Sequence, residues 1–232
     1  MILTATIMRT IPGLGLLAGL AWSEPATADC KFPDSAARVV VKIGPYAGGR
    51  TGESLNQLSN FLQLLRENYY MLKQDIEPYA AAAPFLQKVE LSLQDDYVIT
   101  GDQITAETAL KYWRDAPTTL QVFFGAIRRI QETFTIVSSI HLGDTQNPLY
   151  IMTLPLRGDE FASAKDSHTL LIYYALALQA KKLECPSDVV GHLLSRTNEI
   201  ATTLLNRQIS ETERKRVVEI KQHVESLGKP TS

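Results

Sequence analysis

The clearest pattern of apolar and polar residues lies in the middle of the chain, over Leu120–Leu142. In both halves of this stretch, apolar residues take most of the even-numbered positions. Alternation with a period of two residues, rich in β-branched and aromatic side chains, is typical of β-strands. The alternation breaks at 128–132, so we predict two antiparallel strands of one hairpin. One face of the hairpin is then buried and the other is semi-polar.

Shorter apolar runs on both sides of the hairpin predict further strands. Most of these runs lie beside a glycine or a proline. The runs are Ala37–Ile43, Asn68–Ile76, Phe85–Leu93, Tyr97–Thr100 and Leu149–Leu156.

Apolar residues at helical spacing predict four helices, each with a capping residue at its start. Thr51 or Ser54 caps the first, which extends to Leu65. Asp166 or Ser167 caps the second, over Thr169–Leu183, Ser187 or Asp188 caps the third, and the capping box Ser210–Glu213 opens the fourth. We therefore predict an α/β (α+β) fold: a mixed, mostly antiparallel sheet with helices packed on one face, plus a C-terminal helical pair.

The first thirty residues resemble a secretory signal peptide. An apolar segment, Ile11–Trp22, follows Arg9 and precedes an Ala-x-Ala cleavage pattern at Ala26–Ala28. The segment is too short to span a bilayer, and an uncleaved anchor is the alternative. We expect cleavage before Asp29, a periplasmic or secreted mature chain, and no transmembrane segment in it.

The overall charge excludes some partners. The chain of 232 residues has a formal net charge of −2 and is 45% hydrophobic. A balance so close to zero gives no basic surface for nucleic acid and no polybasic membrane patch.

The chain has two cysteines, Cys30 and Cys185, and both lie in the predicted mature protein. In an oxidising compartment they can form a disulfide, and two unpaired thiols are the alternative. Without a Cys-x-x-Cys motif they give no cysteine zinc site, and we predict neither a metal nor a cofactor.

A glycine-rich loop at Gly44–Gly52 joins the first predicted strand to the first predicted helix. Such loops often bind phosphate groups, so Tyr46, Arg50 and Thr51 are candidate ligand-binding residues. The loop lacks the Gly-Lys-Ser/Thr and dinucleotide-binding spacings, and a simple turn followed by a helix cap explains the same residues.

Catalytic motifs are sparse. The four histidines have no metal-binding spacing, and there is no Gly-x-Ser-x-Gly elbow. Ser167 and His168 are adjacent, but consecutive helical residues diverge, so the sequence does not make them a nucleophile and its base. We therefore expect a non-enzymatic protein.

The sequence resembles, in three segments, the family that includes the TolB amino-terminal domain and the curli-secretion outer-membrane component. The segments are VVVKIGPYAGG with LSNFLQLLREN, GAIRRIQETFTIVSSIHLGD, and LYIMTLPLRGDEFASAKDSHTLLIYYALALQ. The resemblance covers Ala37–Leu183 and is interrupted at Asp95–Thr119, which leaves the sheet register open. It implies a small α/β envelope domain that binds other proteins, and it implies no catalytic residues.

These observations define three segments and two functions. The segments are a signal peptide at 1–28, an α/β domain at 29–185 and a helical appendage at 186–232. The first function is a non-enzymatic exported protein that binds an envelope partner, in envelope assembly or maintenance. The second is a small secreted hydrolase or anion-binding protein with its site at the Gly44–Gly52 loop, joined by His141 or His168.

The C-terminal helices supply a specific hypothesis for the first function. Val217, Ile220 and Val224 form an apolar stripe beyond what the predicted two-layer core needs. We predict that this stripe docks a partner, and intramolecular packing is the alternative. The oligomeric state does not follow from the sequence.

Overall fold

The computed structural model describes residues 30, 39–47, 52–87, 89–93, 119–130, 133–142, 150–155 and 158–228. Within these ranges, side chains are described at 30, 52, 56–57, 59–87, 89 and 163–228. The predicted signal peptide, the predicted strand Tyr97–Thr100 and the residues Arg50 and Thr51 lie outside the described residues.

Five strands and five helices follow one another along the described chain, with a 3₁₀ turn at Glu77–Tyr79. The strands are β1 (Val39–Ala47), β2 (Val89–Leu93), β3 (Thr119–Ile130), β4 (Thr133–Leu142) and β5 (Tyr150–Pro155). The helices are α1 (Gly52–Ile76), the short α2 (Pro84–Gln87), α3 (Gly158–Lys182), α4 (Ser187–Leu205) and α5 (Glu211–Leu227).

The strands form one sheet with the order β2-β1-β3-β4-β5. The central strand β1 pairs in parallel with both β2 and β3. The β3–β4 and β4–β5 pairs are antiparallel. Because α1 lies between the parallel strands β1 and β2 in the sequence, the first part of the described chain is a β-α-β unit.

The predicted fold class is wrong. It gave a mixed, mostly antiparallel sheet with helices on one face, whereas half of the described strand pairings are parallel. Helical residues make up 84% of the residues whose side chains are described, so the described core is built by helices packing on helices. The prediction failed because period-two alternation identifies strands but carries no information on which strands pair or in which direction.

The predicted hairpin is present as β3 and β4, and its register corrects the predicted faces. Val122 pairs with His141, and Phe123 pairs with Ile140. Directly paired residues share a face of the sheet, so even positions on β3 share a face with odd positions on β4. The assignment of all even positions to one buried face was therefore wrong, because the turn between the strands inverts the parity.

Helix α1 replaces a predicted helix followed by a predicted strand. It continues to Ile76, so the strand predicted at Asn68–Ile76 is wrong. The buried residues Phe61, Leu65, Leu72 and Ile76 explain the difference, because their spacing keeps them on one side of a single long helix.

The described core centres on α3, which contacts α1 on one side and α4 on another. Side chains of α3 at 170–177 are all buried, as expected for a helix that is covered on several sides. Helix α3 begins at Gly158 rather than at the predicted cap, Asp166 or Ser167. We refer to α1, α3, α4 and α5 together as the helical half.

The C-terminal helices continue the same core. Val189 and Leu193 on α4 and Val217 on α5 belong to one cluster of buried apolar residues with Phe61 and Leu170. The cluster includes residues on both sides of 186, where the predicted helical appendage begins. The Ser210 side chain accepts a hydrogen bond from the Glu213 backbone N–H at 3.2 Å, so the predicted cap of α5 is confirmed.

The apolar stripe of α5 faces the interior. Val217 is fully buried, and Ile220 and Val224 are 8% and 3% exposed. The surface that the docking hypothesis requires is therefore not accessible in the folded chain. The alternative, intramolecular packing, accounts for the stripe. Helix α4 packs on α3, and α5 packs on α4 and contacts α3 through the pairs Ser167–Glu213 and Tyr174–His223.

Candidate functional site

Polar side chains from three helices meet where the end of α1 contacts α3 and α4. Asp75 lies in the last turn of α1, Tyr173 lies in the middle of α3, and His192 and Arg196 lie on α4. The spacing of four residues between His192 and Arg196 puts them on one face of α4. With Tyr79 from the 3₁₀ turn, we call this group the Asp75 cluster.

One carboxylate oxygen of Asp75 is the centre of the cluster. Its Oδ2 accepts hydrogen bonds from the Tyr173 hydroxyl at 2.7 Å and from the His192 Nε2 at 3.0 Å. The Nε of Arg196 lies 3.3 Å from the same oxygen. Because a carboxylate only accepts hydrogen bonds, Nε2 of His192 carries a proton in this arrangement.

Aromatic contacts complete the cluster. The Tyr79 ring stacks on the His192 ring with centroids 4.2 Å apart and planes inclined by 21°. The Arg196 guanidinium lies 5.8 Å from the centroid of the Tyr173 ring, within the range of a cation–π contact. The rings hold His192 and Arg196 in position beside the carboxylate.

The pKa values within the cluster show how charge is stabilised. Burial raises the pKa of Asp75, but hydrogen bonds from Tyr173 and His192 and the charge of Arg196 outweigh it and hold that pKa below 3.8. Burial and the hydrogen bond to Asp75 raise the pKa of Tyr173 above its ordinary value. A carboxylate of lowered pKa is a weak base, and the tyrosine stays protonated. The cluster is therefore better suited to holding the three helices together than to transferring protons.

A disulfide joins the same region to the start of the described chain. Cys30 and Cys185 are bonded with their Cα atoms 4.1 Å apart, as the sequence predicted. The Cys30 Sγ lies 3.7 Å from the carbonyl oxygen of Ala82, in the connection between the 3₁₀ turn and α2. Cys185 follows Glu184, whose φ of 51° ends α3 in the left-handed conformation. Residue 30, the α1–α2 connection and the α3–α4 junction are thereby held together.

A second polar contact lies between α3 and α5. The Ser167 hydroxyl donates a hydrogen bond to the Glu213 carboxylate, and both residues are buried. Burial raises the pKa of Glu213, and the hydrogen bond from Ser167 offsets part of that rise. Nearby, Asp166 pairs with Arg207 at 2.7 Å. Asp166 and Ser167 therefore lie inside α3, where they contact Arg207 and Glu213, and they do not cap the helix.

Two large apolar residues are exposed on α1. Tyr70 and Met71 are 62% and 67% exposed, and each is large enough to contribute to a protein interface. Their helix also exposes Gln63, Glu67 and Gln74. We call Tyr70 and Met71 the α1 patch.

The described structure does not test whether the residues predicted from the sequence to bind a ligand come together, because Arg50 and Thr51 lie outside the described residues. Tyr46 lies in β1, where it pairs with Gly125, and nothing is described of its side chain. His141 lies on β4 opposite Val122. His168 is fully buried on α3 and does not face solvent. The ligand-binding role of Tyr46, Arg50 and Thr51 stays a prediction.

Sequence reasoning missed the Asp75 cluster because its members are far apart in the chain and none belongs to a motif. Asp75 lay within a predicted strand, and His192 was considered only as one of four histidines without metal-binding spacing. The one available signal was the pair His192 and Arg196, two side chains that can donate hydrogen bonds and lie four residues apart, on one face of α4.

Neither a metal-binding cluster nor a membrane-spanning helix is found among the described residues. Their side chains contain no group of three or more His, Cys, Asp and Glu residues that could hold a metal ion. None of the described helices combines the length and the apolar character needed to cross a membrane.

Comparison with known proteins gives one distant likeness. No protein-family model matches the chain, and no curated protein matches it significantly. The crystal structure of TolB from Acinetobacter baumannii is similar to 64% of this chain, with 14% sequence identity and a TM-score of 0.33. The match spans 30% of the TolB chain. This is a distant TolB-like resemblance, too weak to carry an argument about function.

Proposed function

We propose that this protein is an exported, non-enzymatic protein that binds another protein of the cell envelope, in envelope assembly or maintenance. Its helical half is a rigid, disulfide-closed scaffold, and the α1 patch is the part of that scaffold that contacts the partner. The partner is a protein that presents apolar side chains to Tyr70 and Met71.

The disulfide is the observation that supports export. Structural disulfides persist in oxidising compartments and are rare where glutathione and thioredoxin keep thiols reduced. Cys30 and Cys185 are 7% and 9% exposed, so the bond lies within the core and is not a surface crosslink. Its position agrees with the predicted cleavage before Asp29, which would leave Cys30 as the second residue of the mature chain.

The described polar groups support binding rather than catalysis. In the Asp75 cluster, one carboxylate oxygen serves donors from α3 and α4, and in the second contact Glu213 accepts from Ser167. Each of these carboxylates joins two or more helices. Groups that act in this way stabilise a scaffold, and they are not available for reaction without breaking a helix contact.

The α1 patch is the observation that carries the binding function. Tyr and Met are enriched at the centres of protein interfaces, where they lose contact with water. The neighbouring exposed residues Arg66 and Glu67 carry opposite charges. A patch without net charge favours a protein partner over an anionic lipid surface or a nucleic acid.

Site-specific photo-crosslinking tests this function. A photo-crosslinking amino acid replaces Met71 in the full chain, and the envelope of the expressing cells is irradiated. We expect a discrete crosslinked product that disappears when Tyr70→Ala is added. The additional substitution removes an exposed side chain and leaves folding intact, because surface changes alter stability by within about 0.5 kcal/mol.

The matched control places the same amino acid at Lys215, which is exposed on α5. A product formed equally from positions 71 and 215 would reflect non-specific proximity, and the absence of any product at 71 would contradict a binding role for the patch.

A second candidate function has one observation in its favour. Strand β1 pairs in parallel with strands on both sides, so the loop after β1 leaves the sheet where the strand order reverses. In open α/β sheets, ligands bind outside the carboxyl ends of strands at such a point. An anion-binding site with Tyr46, Arg50 and Thr51 is the corresponding proposal.

Isothermal titration with inorganic phosphate tests this second function. We expect binding that is lost in Arg50→Ala and retained in Arg66→Ala, which removes an arginine from the exposed face of α1. Absence of heat with the unmodified protein, or equal binding by both variants, would exclude the anion site.

A further inference from the structure

The α1 patch contains a thioether that is open to solvent. Met71 is 67% exposed, and it lies beside Tyr70, which is 62% exposed. The chain has four methionines, and Met71 and Met152 are the two that follow the predicted signal peptide. Oxidants convert methionine to its sulfoxide, and a side chain at the surface can be reached without any unfolding of the chain.

The turn of α1 that carries Met71 is held by its neighbours. Before Met71, the Asn68 side chain donates a hydrogen bond to the Thr169 hydroxyl of α3 at 2.6 Å. After it, Leu72 points into the core and is 2% exposed. A chemical change in the Met71 side chain therefore alters the surface of an anchored helix and leaves the core in place.

We propose that Met71 is a modification site, at which oxidation by a peroxide weakens the binding of a partner to the α1 patch. This inference rests on the proposed function, since it states how binding through that patch is regulated. The thioether is apolar and adapts its shape to its neighbours, which suits it to a dry protein interface. The sulfoxide is polar, so covering it with the apolar side chains of a partner is unfavourable.

The reaction involves only the sulfur and the peroxide. A lone pair of the Met71 sulfur attacks one oxygen of hydrogen peroxide, so an S–O bond forms and the O–O bond breaks. The second oxygen leaves as hydroxide and takes the proton from the transferred oxygen, which gives one sulfoxide and one water. The sulfur loses two electrons and the peroxide gains them. Methionine sulfoxide reductases reverse the change, with one enzyme for each epimer of the sulfoxide.

The test places the photo-crosslinking amino acid at Gln74, which is exposed on α1 one turn after Tyr70, so that Met71 stays in place. The purified protein is treated with hydrogen peroxide, freed of it with catalase, added to envelope extract and irradiated. We expect peptide mass spectrometry to show one added oxygen on Met71, and the crosslinked fraction to fall about tenfold. Treatment with both reductases should restore the product.

Met152→Leu is the matched control, because it removes the other methionine of the predicted mature chain and should retain the fall. Loss of the response to peroxide in Met152→Leu would overturn the proposal. A crosslinked fraction that stays unchanged while Met71 carries the sulfoxide would also overturn it, and the proposed function would stand. Absence of any product from position 74 before peroxide treatment would contradict the proposed function, and this inference with it.

Thermal unfolding provides a readout that does not involve the partner. The protein with Met71 sulfoxide should unfold at the same temperature as the untreated protein, because Met71 is not part of the core. A large fall in the thermal midpoint, together with the loss of crosslinking, would assign that loss to unfolding and would overturn the proposal.

Discussion

His192 and Asp75 lie 117 positions apart in the sequence, yet Nε2 of the histidine is 3.0 Å from Oδ2 of the aspartate. The contact joins the end of α1 to the second turn of α4. Tyr173 donates to the same oxygen from α3, so one carboxylate holds three helices together. This relationship has a direct consequence for stability.

Asp75→Asn should lower the free energy of unfolding by about 1–3 kcal/mol at pH 7, because a charged acceptor of buried donors is lost. Urea unfolding measures the change. Glu199→Gln is the matched control, since Glu199 also pairs with Arg196 but is exposed, and we expect a change of within about 0.5 kcal/mol. Equal effects of the two substitutions would show that the Asp75 cluster does not hold the helices together.

The contribution of Asp75 also has a defined pH dependence. Its pKa is lower in the folded chain than the ordinary value of 3.8. The stabilisation that Asp75 provides is therefore present above pH 3.8 and is lost as the pH falls through the pKa of the folded state. The difference in stability between the unmodified protein and Asp75→Asn should therefore be constant from pH 5 to pH 7 and shrink below pH 4. A difference that shrinks between pH 7 and pH 5 would assign the effect to another group.

Removal of the disulfide should destabilise the chain strongly. Cys30 and Cys185 close a loop across a sequence separation of 155 residues. In the chain-entropy model, a loop of this length is worth about 5 kcal/mol. The double variant Cys30→Ser with Cys185→Ser should unfold at a much lower urea concentration than the oxidised protein. A midpoint equal to that of the oxidised protein would show that the bond does not stabilise the fold.

Glu213→Gln should stabilise the protein at neutral pH by about 1 kcal/mol, since burying an ionised carboxylate is unfavourable and Gln still accepts from Ser167. The pKa of Glu213 is raised, so the disadvantage of its charge is absent at low pH and appears as the pH rises through that pKa. The variant should thus gain stability at pH 7 and not at pH 4. Thermal unfolding at both pH values measures this, and a loss of stability at pH 7 would contradict it.

The α5 stripe can be tested against its predicted docking role. Val217, Ile220 and Val224 are buried, so their joint replacement by Ser should lower the free energy of unfolding by several kcal/mol. For a chain of this size, such a loss lowers the thermal midpoint by more than about 10 °C. A midpoint within a few degrees of the unmodified protein, together with loss of partner binding, would instead support docking.

Local patterns in the sequence predicted single elements well. The alternation at Leu120–Leu142 gave β3 and β4, and Ser210 with Glu213 gave the start of α5. These signals are carried by residues close together in the chain, where spacing and capping chemistry determine the conformation.

The sequence predictions failed where residues typical of helix caps or strands make tertiary contacts instead. Asp166 and Ser167 are good caps, but inside α3 they bond Arg207 and Glu213. Tyr70 has a side chain that favours strands, yet α1 continues past it because Leu72 and Ile76 extend its buried face. The partners of Asp75 are fixed by helix packing, which no local pattern encodes.

Mass spectrometry of the protein isolated without reductant from the envelope of its cells tests the central claim most directly. Export into an oxidising compartment predicts a chain that begins near Asp29 and contains a peptide pair joined through Cys30 and Cys185. Its mass should increase by about 2 Da on reduction, as each disulfide takes up two hydrogen atoms. A chain that begins at Met1, is absent from the envelope and has both thiols open to alkylation would contradict the account.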